Sequence, residues 1–318
     1  MPRRAGPGSA IPRRGRWPSF PASSSRCSRD RRAGRRTAPV LTEPRRTLLI
    51  TGCSSGIGLD AAQRMQQAGW RVFATCRKAE DCAHLNAEGL ESFRLDYEDA
   101  DSIAAAVDEA LVRGAGRLDA LFHNGAYAIP APVEDVPPAA MRAIFEANFL
   151  GWHDLTRRVV PILRRQGHGR IVFCSSILGF VPAKYRSAYI ATKYAVEGYA
   201  DVLRLELRAA GIHVSILEPG PISTSFRQNA IRQFERWIDW QSSALAEEYR
   251  THLLDRLYRG SGGTRFELPP AAVTARLRHA LESPRPRARY HITVPTQAMA
   301  LARRLLPGSA IDWICSRG

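Results

Sequence analysis

From Arg46 onward the chain alternates short apolar runs with stretches of helical periodicity, and this alternation restricts the fold more than any other feature. Residues 47–51, 71–75, 92–95, 118–122, 171–174, 213–217 and 289–294 read as seven strands. Helical patterns cover 57–68, 79–86, 100–113, 138–165 and 186–210. Most of the strand runs are apolar on both faces, as expected when helices cover both sides of a sheet. Alternation at this spacing builds right-handed βαβ crossovers and a parallel sheet. The expectation is an α/β protein: a doubly wound, seven-stranded parallel sheet flanked by helices. Its site should lie at the carboxyl ends of the strands. Pro161 should kink or tighten its helix, and Gly211 should cap the helix before it.

The first strand runs straight into Thr51-Gly52-Cys53-Ser54-Ser55-Gly56-Ile57-Gly58, and a helix follows at once. Glycines at such a turn allow a tight bend, close approach of backbone to a pyrophosphate, and close packing of helix on sheet. The helix N-terminus then offers unbonded N–H groups to phosphate. A glycine spacing alone is weak, but one placed between strand and helix points to a Rossmann-like dinucleotide site. Gly52, Ser54, Ser55, Gly56, Ile57 and Gly58 are its candidate residues.

The end of the second strand bears on cofactor choice. An acid about 20 residues past the glycines would bind a ribose 2′-hydroxyl and favour NAD. Cys76 stands there instead, followed by Arg77 and Lys78. Nothing at that point repels a 2′-phosphate and Arg77 could pair with one, so NADP(H) is the expected cofactor. Asp96, ending the third strand, could accept from the adenine amino group or cap the next helix. Asn124 and Gly125 end the fourth strand, where the backbone would pass the adenosine ribose.

Tyr189 and Lys193 are four residues apart in the long helix after the fifth strand, which puts both on one face. A phenol titrates near pH ~10, and a neighbouring ammonium lowers that value. Such a pair can give a proton to a carbonyl being reduced. By itself the spacing is common. Its weight comes from composition: among 46 basic residues, lysine stands only at 78, 184 and 193. Arginine does not deprotonate and pairs as a fork, so it would serve less well. Ser176, just past the fifth strand, could hydrogen-bond the same carbonyl oxygen.

The formal net charge of +16 is concentrated at the start, where residues 1–46 hold thirteen arginines against Asp30 and Glu43. Residues 1–44 are rich in Arg, Pro, Ser and Gly, the composition of a disordered tail. We read them as a solvated basic tail or a mis-assigned start in preference to a targeting peptide. Residues 45–318 then form a single domain, with no nucleic-acid motif to go with the charge. The six cysteines are scattered without a Cys-x-x-Cys, and no histidine spacing suits a metal. No bound metal is expected, and a reducing cytoplasm is the simplest location.

Taken together these motifs resemble the short-chain dehydrogenases/reductases, from about Thr47 to Val294. Thr51 to Gly58 is similar to the family's Thr-Gly-x-x-x-Gly-x-Gly. Asn124-Gly125-Ala126 departs from the usual Asn-Asn-Ala-Gly but keeps Asn124. Asn148, in Asn-Phe-Leu-Gly, with Ser176, Tyr189 and Lys193, matches the catalytic tetrad, and Pro219-Gly220-Pro221-Ile222-Ser223-Thr224 resembles the nicotinamide-contacting segment. The resemblance implies that Tyr189 is the general acid in reduction and the base in oxidation. It implies that Lys193 lowers the Tyr189 pKa and holds the nicotinamide ribose, and that Ser176 orients the carbonyl. Asn148 would hold a water linking Lys193 to solvent, and Pro219, Gly220, Ile222 and Thr224 would border the nicotinamide. Thr224 could instead cap the next helix.

The segment 221–267 should stand over the site as a lid of two short helices carrying Phe226, Phe234, Trp237, Trp240, Tyr249 and Leu257. An apolar lid suits an apolar aldehyde or ketone. The wider pattern resembles bacterial NADP-dependent aldehyde reductases and retinol and steroid dehydrogenases, including Arg303-Arg304-Leu305-Leu306-Pro307-Gly308. A homodimer or homotetramer is expected from the resemblance. The amphipathic tail 296–318 should pack on the core or a subunit, with a membrane surface as the other possibility. The competing readings are an NADPH sensor without turnover, and a nucleic-acid binder acting through residues 1–44.

Overall fold

The computed structural model describes residues 45–259 and 266–316. Its strands are β1 (Thr47–Ile50), β2 (Arg71–Cys76), β3 (Glu91–Arg94), β4 (Ala120–His123), β5 (Gly169–Cys174), β6 (Ile212–Glu218) and β7 (Arg289–His291). They form one seven-stranded sheet in the order β3-β2-β1-β4-β5-β6-β7, and every pair is parallel. The helices that cross between them are α1 (Gly56–Gln67), α2 (Ala79–Ala87), α3 (Ala100–Arg113), α4 (Pro138–Phe145), α5 (Gly151–Gln166) and α6 (Ser187–Leu207). The strand order reverses between β1 and β4, and that switch point opens the crevice in which doubly wound sheets bind ligands.

Alternation within the strands fills two cores. Leu48, Ile50, Val72, Ala74, Phe122, Val172 and Leu217 face α1, α2 and α10 (Ala271–Glu282). Leu49, Phe73, Leu121, Ile171, Phe173 and Ile216 face α3, α5 and α6. A period of two thus explains why each run must be apolar throughout.

The expected helix over 138–165 is interrupted, but not at Pro161. One wide π turn, Glu146–Leu150, separates α4 from α5. The helix then passes through Pro161, held by buried Val159, Ile162 and Leu163 on its apolar face. Apolar anchorage here outweighs the one missing N–H. Gly211 closes the turn after α6 at φ +69°, as expected of a C-cap glycine. β7 is shorter than expected, because Thr293 turns out of the strand and caps α11 (Val294–Leu305) through Thr296 N–H.

The segment expected to form a lid has more pieces than the two helices expected. It holds α7 (Phe226–Trp237), a tight turn at Trp240–Ser242, α8 (Ala246–Glu248), a π turn at Tyr249–Leu253 and α9 (Leu254–Tyr258). Phe234, Ile238, Tyr249, Leu253 and Leu257 pack with Ile129, Ile144 and Tyr189 in a third core. Asp135 pins this segment, accepting from Ser243 Oγ and Tyr249 Oη at 2.8 Å each. The chain ends in α11 and α12 (Gly308–Ser316). Among the described residues no helix is long and apolar enough to cross a membrane. The reading of residues 1–44 as a tail lies outside the described residues.

Candidate active site

The glycine turn is a close-packed cradle. Gly52 sits at φ +68°, and a Cβ there would come within 2.6 Å of Gly125 Cα. A Cβ on Gly58 would come within 2.2 Å of Gly52 O. Real Cβ atoms do not approach so closely, so the turn requires glycine at both positions. Asn124 locks it from β4, donating to Thr51 O at 3.1 Å and Gly52 O at 3.2 Å. Ser55 occupies the N-cap position of α1 without capping any amide. The first-turn amides of α1, from Gly56 onward, therefore keep the character of an anion site. Ser54 is exposed beside them.

This cradle fits a dinucleotide pyrophosphate. Arg77 and Lys78 are exposed where β2 leads into α2. Burial and Glu98 push the Tyr127 phenol up, while Arg236 and Arg77 pull it back, so the Arg77 charge is felt across this end of the crevice. Asp96 is not the cap of α3. Asp99 holds that role, accepting from Asp101 N–H and Ser102 N–H, and Asp96 faces Arg94 at 3.3 Å. The residue immediately before the helix body was the better cap candidate by position.

The tetrad candidates converge on the end of β5. Tyr189 and Lys193 lie on the inner face of α6, 8 % and 1 % exposed. Lys193 Nζ donates to Cys174 O at 2.8 Å and stands 4.6 Å from the Trp152 ring centroid and 5.5 Å from that of Tyr189. Burial lowers the Lys193 ammonium to about 8, with Cys174 and Glu197 opposing it. Burial raises the Tyr189 phenol above the usual tyrosine range. The Ser176 hydroxyl, by hydrogen bonding, and the Arg186 charge pull it back. The sequence suggested a phenol pulled down by Lys193; desolvation is the larger effect on this site as it stands. Ser176 also accepts from Leu178 N–H at 3.1 Å, which fixes the turn that carries it.

Asn148 lies within the π turn and is fully buried. Its carboxamide accepts from Tyr127 N–H at 3.0 Å, donates to Tyr127 O at 2.8 Å and donates to Thr192 Oγ1 at 3.3 Å. A π turn inserted in a helix often marks a functional position, and here it seats Asn148 against the loop that leaves β4. Pro219 O accepts from Ile177 N–H at 2.8 Å, so the β6 end is tied to the Ser176 turn. Gly220 is packed on Thr293 and Thr296. Ile222 bridges to Leu268, and Thr224 lies over Gly56. Thr224 accepts from Phe226 N–H at 3.3 Å, while Ser225, not Thr224, occupies the N-cap position of α7.

Sequence reasoning missed several neighbours. His123, which ends β4 one residue before Asn124, stacks against both Trp152 and Phe173 and is bonded to Tyr97 Oη and Thr156 Oγ1 at 2.8 Å each. Burial lowers it to about 3, so it is neutral. Tyr97 Oη donates to Thr51 Oγ1, which also receives Asn124 N–H. Glu197, four residues past Lys193, could have been found from helical spacing alone.

The family profile described as short chain dehydrogenase matches residues 46–235. The chain is 38% identical over 269 residues to the uncharacterized oxidoreductase YbbO of Escherichia coli K12, covering 85% of this chain and 93% of that protein. It is 31% identical over 277 residues to the 17-beta-hydroxysteroid dehydrogenase type 6 of Rattus norvegicus, covering 83% and 86%. A short chain dehydrogenase/reductase from Burkholderia phymatum, solved with NAD, superposes with a TM-score of 0.68 at 22% identity, covering 85% and 95%. The expected likeness to steroid dehydrogenases is thereby met, and the last comparison matches the seven-stranded sheet.

Proposed function

The chain belongs to the short-chain dehydrogenase/reductase family, and on that premise we propose that it is an NADP-dependent oxidoreductase interconverting an apolar aldehyde or ketone with its alcohol. The observation that carries this reading is one helix face holding Tyr189 and Lys193, both buried, with the Ser176 hydroxyl beside the phenol. When bound, NADP(H) supplies or accepts the hydride.

The side chains do the rest. Burial keeps Tyr189 protonated at neutral pH, which suits a group that must give a proton to the carbonyl oxygen in reduction. In oxidation it takes that proton back. Ser176 holds the carbonyl oxygen, and Lys193 holds the nicotinamide ribose and brings positive charge to the phenol. Asn148, bonded to Tyr127 and Thr192, orders the path by which Lys193 regains its proton from solvent. Gly52, Ser54, Ser55, Gly56, Ile57 and Gly58 hold the pyrophosphate, Asp96, Asn124 and Gly125 the adenosine end, and Pro219, Gly220, Ile222 and Thr224 the nicotinamide. The preference for NADP rests on Arg77 and Lys78 standing exposed with no acid at the end of β2.

The apolar substrate follows from the lid. Phe226 packs edge-on to Tyr189 with ring centroids 5.4 Å apart, and Leu178, Tyr127 and Tyr185 pack on the same core. Tyr194, Val202 and Leu205 are exposed on α6 and support pairing with a second copy.

The test is NADPH oxidation by the purified chain against a panel of apolar aldehydes, ketones and steroids, with NADH alongside. Turnover with NADPH is expected. Tight NADPH binding without turnover across the panel would favour the sensor reading.

A further inference from the structure

α6 carries a third buried ionisable group on the face of Tyr189 and Lys193. Glu197 stands one turn beyond Lys193, 8 % exposed. At that spacing the two side chains are neighbours. Its Oε2 receives Arg289 Nη2 at 3.1 Å and Nε at 3.2 Å. Its Oε1 and the Oγ of Ser175 are both buried and lie side by side without a well-aligned hydrogen bond, and the hydroxyl still favours the ionised carboxyl. Both atoms lie directly under Gly179: a Cβ there would fall 2.8 Å from Glu197 Oε1 and 2.4 Å from Ser175 Oγ. Glu197 thus packs beneath the turn that follows Ser176, against Gly179, while its charge reaches Lys193.

The groups around the pair are few. Lys193 is faced by Tyr189 and Glu197 on α6, Cys174 on β5 and neutral His123 on β4. Glu197 is faced by Asp201 on α6, Ser175 after β5, Glu218 on β6, and Arg289 on β7. Arg289 also bonds Asp201 Oδ2 at 2.8 Å and lies 3.3 Å from Glu218 Oε1, and His291 contacts the other Glu218 oxygen. Three acidic side chains therefore share one guanidinium, and Glu197 is the member nearest Lys193 along the helix.

We propose that Glu197 is a positioning residue for the reaction: it acts through Lys193, keeping that side chain an ammonium, and through the Ser175–Gly179 turn that carries Ser176. This rests on the reading of Tyr189 and Lys193 given above. A buried ammonium is unfavourable in itself, and a carboxylate one turn away offsets part of that penalty. Removing the carboxylate charge lets Lys193 lose its proton at lower pH.

The experiment is the pH profile of kcat/KM for carbonyl reduction in the full chain. In Glu197→Gln, which keeps the shape and an acceptor for Arg289, the basic limb moves to lower pH by roughly half a unit to one unit. Asp201→Asn alters the same cluster one turn farther from Lys193 and leaves the limb in place. Ser175→Ala removes the hydroxyl facing Glu197, so the carboxyl holds its proton more readily and the limb moves the same way by less. A uniform loss of rate in Glu197→Gln with an unmoved limb overturns the proposal, as does an equal shift in Asp201→Asn. If Glu197→Gln does not fold, Ser175→Ala decides: a moved limb supports the proposal and an unmoved one overturns it. Tyr189→Phe run alongside separates the premise. Wild-type turnover in that variant removes the site reading itself, and the role of Glu197 with it.

Discussion

Lys193 donates from the interior of the protein to the carbonyl of Cys174 at 2.8 Å, two residues before Ser176. The bond fixes the ammonium beneath the end of β5, between the rings of Trp152 and Tyr189. Burial holds it near 8, below the ordinary lysine range. Below about 8 Lys193 is an ammonium and above it an amine, so carbonyl reduction should fall with rising pH, about tenfold per unit on the basic limb. Steady-state rates from pH 6 to 10 check this. Lys193→Met should lose on the order of 10²-fold or more. Lys193→Arg should not restore it, because a guanidinium fork cannot replace a compact ammonium donor.

Arg77 follows β2 with no acid in the position that would read a ribose hydroxyl. Arg77→Ala should lower kcat/KM with NADPH by roughly 10-fold to 100-fold, the scale of a charge-assisted phosphate pair. Turnover with NADH should change little. Parallel kinetics with the two cofactors measure this, and equal losses would assign Arg77 a structural role.

Glu218 is 1 % exposed, beside Glu197 and Arg289. Burial first, then the Glu197 charge, raise it to about 8. An acid whose folded value lies above its unfolded value contributes stability that is complete below the unfolded value, near 4.5. That contribution is lost as pH rises through the folded value. Melting temperature should therefore decline between about pH 5 and 8, by roughly 2–4 °C for each kcal/mol in a chain of this size. Glu218→Gln should flatten that decline. An unchanged slope in the variant would contradict the assignment.

Much of this architecture was legible because the sheet is covered on both faces. Apolar runs such as 47–51 and 171–174 can be little else in a chain with helical stretches between them. The face that carries Tyr189 and Lys193 was legible because α6 repeats every 3.6 residues and lysine is scarce. What was not legible depends on tertiary packing. The π turn that seats Asn148 has no local signature, and Pro161, which has one, leaves its helix unbroken. The choice of Asp99 over Asp96 as a cap turns on where the first helical turn starts. The Glu197–Arg289–Glu218 cluster joins neighbouring α6 and β6 to the distant β7, and β6–β7 pairing brings Arg289 to the two acids.

The most direct measurement compares the wild-type chain with Tyr189→Phe by NADPH oxidation on an apolar aldehyde, with NADPH binding followed by fluorescence. The phenol proton is the one feature removed, and the ring keeps its contact with Phe226. The account predicts a loss of roughly 10²–10⁴-fold in turnover, the usual weight of a general acid, with NADPH affinity nearly unchanged. Turnover within a few-fold of wild type would contradict it.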